Sequence, residues 1–197
     1  MRRGSPTRRD RVLNDDELRA VWAVADGQFG AFVKLALLTA QRRDKIASMK
    51  WDDLDGNVWT IATEAREKGN AGELVLPEMA LNIINAQTRF TSNPYVFAGR
   101  GDTHINGWSR SKRQFGAKLS EPWTIHDLRR TARSLMSRAG VRPDISERVL
   151  GHVIPGVEGV YDRHQYREEK AHALKVLAGL IENILRPTAH KVHRFRG

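Results

Sequence analysis

The chain has 197 residues and a formal net charge of +10, with 40% hydrophobic and 28% charged residues and no cysteine. Its length suits one domain with tails and leaves no room for a second full one, while the missing thiols exclude disulfides and thiolate metal sites and fit a reducing, cytoplasmic setting. No apolar run is long enough to span a bilayer, so no membrane partner is expected, and the positive balance invites a nucleic-acid reading wherever it is locally concentrated.

Residues 1–12 read as a flexible basic arm broken by Gly4, Ser5 and Pro6. Asn14 and Glu17 form a capping-box pattern, and Leu18, Val21, Trp22 and Ala25 recur at helical spacing, which predicts a helix over 15–25 stopped near Gly27. The segment 29–39 is apolar nearly all round apart from Lys34, the pattern of a central buried helix, and it delivers Gln41 and Arg42 at its end. An arginine at such a junction serves as a surface cation, a capper of carbonyls or a phosphate ligand. After the turn Asp55-Gly56-Asn57, strands over 58–62 and 73–76 predict a hairpin, and the loop between them carries Arg66 and Lys68. A lysine there is by default a solvated loop residue. Pro77 opens a helix to about Phe90, 94–98 reads as a short strand holding Tyr95, and 108–119 reads as a basic helix with Arg110, Lys112, Arg113 and Lys118.

A helix over 124–139, ended by Gly140, turns Leu128, Ala132 and Leu135 to the core, with His126, Arg129 and Arg133 on or near the other face. His126 and Arg129 stand three apart, a spacing that lets both touch one small anion. Arg129, Arg130, Arg133, Arg138 and Arg142 fall in a run with no acid from Leu128 to Pro143, which either lines up phosphates or forms a solvated face. A short helix follows, with Pro143 in its first turn, Ile145 and Val149 buried and Gly151 as its breaker. His152 then leaves with its ring free for a site, or caps the last carbonyls. The loop 154–158, with Pro155 and Gly156, gives Tyr161 a mobile mount, and a phenol near cationic donors can attack phosphorus. Tyr166 is the rival phenol. Leu174, Leu177, Ile181 and Leu185 predict a closing helix over 167–185. The chain therefore divides into a basic arm (1–12), one α+β, mostly α-helical domain with a small antiparallel sheet (13–186), and a basic tail (187–197).

Thr39-Ala40-Gln41-Arg42, Lys68 in the hairpin, His126-x-x-Arg129, Leu150-Gly151-His152 and Tyr161, in that order, resemble the catalytic domain of the tyrosine recombinases, the phage-integrase family. The resemblance covers most of the chain and implies a site-specific DNA recombinase that cleaves and rejoins strands through a 3′-phosphotyrosyl intermediate, without metal or nucleotide cofactor. It implies Tyr161 as nucleophile, Lys68 as proton donor to the leaving 5′ oxygen, and Arg42 and Arg129 as clamps on the non-bridging oxygens. His126 would handle the tyrosine proton and His152 would donate to the phosphate. Arg110, Lys112, Arg113, Lys118, Arg130 and Arg133 would contact double-stranded DNA. The implied partners are DNA, a homo-tetramer assembled on it, and an accessory DNA-bending protein. A type IB topoisomerase would share the chemistry, and a non-catalytic DNA-binding module would share only the basic helices. Family members carry a DNA-gripping domain ahead of the catalytic one, whereas here the resemblance starts almost at the first residue, so a shortened chain or one lacking that clamp is expected. Two positions depart from the family pattern. Ala40 stands where glycine is common, and Lys45 stands where an acid three residues after the arginine would brace it, leaving Asp44 as a substitute or a site held differently.

Overall fold

A helix with no polar face is stable only when the rest of the protein surrounds it, and the computed structural model is built round such a helix. It describes residues 10–64, 67, 69–106, 112–113, 115–116, 122–153 and 165–187. Lys68, Arg110, Lys118, Tyr161, most of the basic helix expected over 108–119, residues 1–9 of the arm and the tail from 188 lie outside the described residues.

The elements are α1 (Asp15–Ala23), α2 (Gly27–Thr39), α3 (Arg43–Ala47), a 3-10 turn at Trp51–Asp53, β1 (Leu54–Asp55), β2 (Val58–Thr60), β3 (Glu73–Val75), α4 (Glu78–Asn85), α5 (Ile125–Arg138), α6 (Pro143–Leu150) and α7 (Arg167–Leu185). This is the expected α+β, mostly helical architecture. In α2, Phe32, Val33, Leu35, Leu37 and Leu38 are completely buried, and α3, α4, α5 and α7 pack around it. The helix ends at Ala40, whose φ of 55° is left-handed. Glycine takes that conformation without steric cost, which is the physical reason a glycine suits this place. Beyond it the chain runs extended into Arg42, the N-cap of α3.

The sheet has the order β1-β2-β3, antiparallel throughout, with Trp59 opposite Leu74 as its buried cross-strand pair. Helix α5 starts on a capping box: Thr124 N–H donates to Asp127 Oδ2 (2.7 Å) and Asp127 N–H to Thr124 Oγ1 (3.2 Å). That reciprocal pair fixes the turn from which His126 and Arg129 project. Helix α6 closes on Gly151 at φ 67°, with Gly151 N–H donating to the Arg148 carbonyl and His152 N–H to the Glu147 carbonyl, both at 3.0 Å. Helix α7 lies on its own domain against α1, α2, α5, α6 and β3, pinned by Arg19 Nη1 to the Ile184 carbonyl (2.9 Å) and by Lys170 Nζ to the Ala71 carbonyl (2.6 Å).

Some expected boundaries shift. Helix α1 stops at Ala23 and α4 at Asn85. The strand expected over 94–98 is absent; only the isolated bridges Lys50 to Tyr95 and Ala98 to His104 form there. The segment bonds through its backbone to two different partners, Trp51 N–H to the Pro94 carbonyl (3.0 Å) and Val96 N–H to the Met49 carbonyl (2.9 Å) on one side and Ile105 N–H to the Phe97 carbonyl (2.7 Å) on the other, so neither pairing runs on into a ladder, while Tyr95 N–H goes to the Asn93 side chain (2.9 Å). Tyr95 is half-buried against His104 rather than in a core strand.

Gly151 is where α6 meets the hairpin loop: a Cβ there would lie 2.5 Å from the Ala71 nitrogen and 2.8 Å from the Asn70 carbonyl carbon. Gly151→Ala therefore combines left-handed strain with a backbone clash and is expected to cost about 2 kcal/mol or more. Chemical denaturation checks this; an unchanged midpoint would show that the hairpin does not rest on α6.

Candidate active site

Arg129 is drawn inward from the first turns of α5. The polar face expected for it is not where it lies: its guanidinium is buried, donating from Nη1 to the Ala40 carbonyl (2.6 Å) and from Nη2 to the Leu150 carbonyl (2.7 Å) and to His152 Nε2 (3.0 Å). The reason is that α2 and α6 both end beside it with carbonyls that no helical N–H can reach. Burial, and then the charge of Arg42, push its pKa down to about 10, so it remains a cation at neutral pH. Its bonds go to neutral acceptors, which leaves a desolvated positive charge suited to an anion.

Arg42 stands beside it, donating from Nη1 to Glu67 Oε1 (3.1 Å) and the Gly69 carbonyl (3.1 Å) and from Nη2 to the Gly151 carbonyl (3.4 Å). Gln41, buried, donates to the Val149 carbonyl at 2.6 Å. The end of α6 thus has its carbonyls at Val149, Leu150 and Gly151 capped by Gln41, Arg129 and Arg42.

His152 is held rather than free. Because an arginine nitrogen can only donate, His152 Nε2 accepts from Arg129, which places the imidazole proton on Nδ1, 2.5 Å from Glu147 Oε2. Burial pushes the Glu147 carboxyl up, but the bonds from Arg133 and His152 outweigh it and leave its pKa below the usual range. His126, on the first turn of α5, is open to solvent. Its pKa is nevertheless lowered, first by desolvation in the cleft and then by the charges of Arg130 and Arg129.

Arg42, Arg129, His126 and His152 line one cleft of about 530 Å³, with Gln41 and Lys112 on the same wall. A second cleft of about 480 Å³ opens on the other side of His152, lined by Asn70, Arg148 and Lys170 among others. The structure therefore brings together four of the six residues expected at the site; the other two, Lys68 and Tyr161, lie outside the described residues. Tyr166, the rival phenol, is half-buried at the N-cap of α7 with the Arg148 guanidinium 3.7 Å from its ring centre.

The arginine run along α5 and up to the N-cap of α6 is not a bare cationic stripe. Arg130 pairs with Asp127 (2.9 Å), Arg133 with Glu147 (2.8 Å), Arg138 with Asp15 (2.6 Å) and Arg142 with Asp144 (2.8 Å), so the acids absent from the run come from α1, α6 and the first turn of α5. Neither Arg130 nor Arg133 lines the cleft, nor does Arg113. Among the described residues no three His, Cys, Asp or Glu side chains gather as a metal site would require, and no helix is long and apolar enough to cross a membrane.

Two acids that sequence reasoning missed hold the site: Glu67 at Arg42 and Glu147 at His152. The five-residue step from Glu147 to His152 is no helix-face spacing; only the left-handed Gly151 folds His152 back over the last turn. Glu67 lies 25 positions from Arg42, a distance at which no local signal exists.

A model of the phage integrase family matches residues 11–168. Among curated proteins, the chain is 25% identical over 163 residues to prophage integrase IntZ of Escherichia coli K12, covering 80% of this chain and 40% of that protein. It is 28% identical over 153 residues to prophage integrase IntA of the same strain, covering 74% of this chain and 37% of that protein. The chain thus spans about two fifths of the length of these relatives. Among solved structures, the integrase from mycobacterium phage Brujita superposes with a TM-score of 0.71 at 19% identity, covering 93% of this chain and 66% of that one.

The charges around His126 give a measurable consequence. Its imidazole is expected to titrate below the ordinary histidine value, and Arg130→Met, by removing a neighbouring positive charge, should raise that pKa. An NMR titration of the ring protons reads both; a value unmoved by the substitution would mean that Arg130 does not act on it.

Proposed function

The chain belongs to the phage integrase family, and from that premise we propose that it is the catalytic part of a site-specific DNA recombinase that cuts and rejoins strands through a covalent 3′-phosphotyrosyl link. The observation that carries this reading is the meeting of Arg42, His126, Arg129 and His152, scattered over 111 positions of sequence, around one cleft. Two guanidiniums and two imidazoles suit a single phosphodiester, because fixed donors stabilise the charge that grows on its non-bridging oxygens.

In the proposed reaction Tyr161 Oη bonds to phosphorus while the bond from phosphorus to the 5′ oxygen breaks. The phenol proton passes to His126, whose lowered pKa keeps it unprotonated at neutral pH and ready to accept. Lys68 supplies a proton to the departing 5′ oxygen, which would otherwise leave as an alkoxide. Arg42 and Arg129 take the non-bridging oxygens through charge-assisted bonds. For His152 to donate to the phosphate from Nε2, Arg129 Nη2, which bonds to that nitrogen in the free site, turns to the phosphate, while Glu147 at Nδ1 holds the ring in place. The ester conserves the energy of the broken bond, so rejoining is the same displacement run backward by the 5′ hydroxyl.

Arg110, Lys112, Arg113 and Lys118 are proposed to hold backbone phosphates, with Arg130 and Arg133 at the flank; such contacts give affinity without sequence choice. Lambda integrase, which shares the fold at a TM-score of 0.57 and 18% identity over 77% of this chain and 49% of that one, has been solved as a tetramer bound to a Holliday junction. A homo-oligomeric assembly on duplex DNA is proposed here on that likeness, with an accessory DNA-bending protein as a further partner.

The test is a nicked duplex that loses its 5′ hydroxyl fragment and traps the adduct. The chain is expected to yield a DNA-linked peptide bearing Tyr161, and Tyr161→Phe none. Arg129→Lys should slow adduct formation roughly a hundredfold or more, the scale of losing a transition-state donor. An adduct on Tyr166, or one that survives Tyr161→Phe, overturns the assignment.

A further inference from the structure

Arg42 is followed three residues later by a lysine instead of an acid, yet it does not lack one. Glu67, in the loop between β2 and β3, turns one carboxylate oxygen to each of two cations: Oε1 lies 3.1 Å from Arg42 Nη1 and Oε2 lies 2.8 Å from Lys45 Nζ. Lys45 is itself buried and also donates to the Ala62 carbonyl (2.8 Å) and Glu64 Oε1 (3.0 Å). The loop closes on itself as well, Glu67 N–H donating to the Glu64 carbonyl (2.9 Å) and Glu64 N–H to Glu67 Oε2 (3.3 Å). Asp44, the nearer acid in sequence, pairs with Arg43 at 2.8 Å.

We propose that Glu67 is the positioning residue of the phosphate-clamping Arg42 and that Lys45 holds it in place, so the bracing acid reaches the arginine from the hairpin rather than from α3. This rests on the reaction proposed above. The arrangement is electrostatically consistent. Burial alone would push Glu67 up and Lys45 down, but their mutual hydrogen bond and charge, together with Glu64 at both groups and Arg42 at Glu67, outweigh it and leave Glu67 below and Lys45 above the ordinary values. The exposures agree: the Glu67 side chain is 11% and that of Lys45 8% exposed, so solvent screens this pair far less than a surface one.

An acid on α3 would brace Arg42 and leave the hairpin independent. With Glu67 in that role, and with the Gly69 carbonyl on the same Nη1 at 3.1 Å, both chain neighbours of Lys68 are bonded to the guanidinium.

Two measurements on the full chain test this. The first is adduct formation at saturating nicked duplex. Glu67→Gln is expected to lower the maximal rate roughly tenfold or more, the worth of a charge-assisted bond, with little change in DNA affinity. Returning the acid to α3 in Lys45→Glu/Glu67→Gln should recover most of that loss, whereas Lys45→Met/Glu67→Gln should not. Unchanged rates in Glu67→Gln, or a relocated acid no better than the methionine control, overturn the proposal. The second needs no cleavage: Lys45→Met, Glu67→Gln and their double variant are melted. The double should melt with the lower of the singles; decrements that simply add would show that the pair is not made, and would sink the brace. If the parent chain forms no adduct, the proposed reaction fails while the melts still decide on the brace.

Discussion

Placing a charged guanidinium where little water reaches it is costly unless its N–H groups find acceptors, and helices α2 and α6 end beside Arg129 with the carbonyls that meet this need. The dependence runs both ways. A helix C-terminus carries partial negative charge and carbonyls without helical partners, and two such ends in the interior would repel each other without a cation between them. Arg129 is that cation, joined by Arg42 and Gln41 at the remaining carbonyls of α6. The side chains proposed to hold a phosphate are thus also the caps that let these helix ends be buried together. The fold and the cleft are the same set of bonds, and the cleft cannot be loosened without loosening the helix junction.

This double use explains what was legible in the sequence and what was not. Helix α2 declared itself through an all-apolar run, α1 through Asn14 and Glu17, α6 through Pro143 and Gly151, and α7 through its leucine spacing; each is a local signal with a period or a cap behind it. His126, Arg129, Arg42 and His152 were legible as candidates by their order. The burial of Arg129 was not, because helical periodicity groups it with His126 and Arg133 on a polar face, and only the arrival of two other helix ends turns that position into an interior one. The strand expected over 94–98 is shortened to isolated bridges for a related reason: its backbone bonds are divided between two distant partners, residues 49–51 and 103–105, which no local pattern announces.

The charge balance along the chain is also a poor guide to the field in space. Five arginines in sixteen residues without an acid look like a phosphate track, but four of them find carboxylates on neighbouring elements. The part-exposed pairs of Arg133, Arg138 and Arg142 add little stability; their effect here is on the field. With those arginines matched locally, the fifth, Arg129, stands out as a cation bonded to neutral acceptors, and it is the one that is buried. An anion entering the cleft meets a charge that water has hardly screened, so discrimination between the cleft and the flank comes from burial rather than from the number of positive residues.

The two histidines of the cleft are set apart by the same logic. A positive neighbour disfavours a second positive charge, and Arg130 and Arg129 act in this way on His126. Burial and these charges outweigh the opposing charge of Asp127, so the ring is driven toward the neutral form, the form that can accept a proton. His152 instead has Glu147 directly on Nδ1 and Arg129 on Nε2, which fix the orientation of its ring. One ring is therefore open and disposed to the neutral form and the other is held at both nitrogens, although the residue type alone would not separate them. The separation is made by a glutamate one turn back along α6, brought alongside by the left-handed glycine that ends the helix.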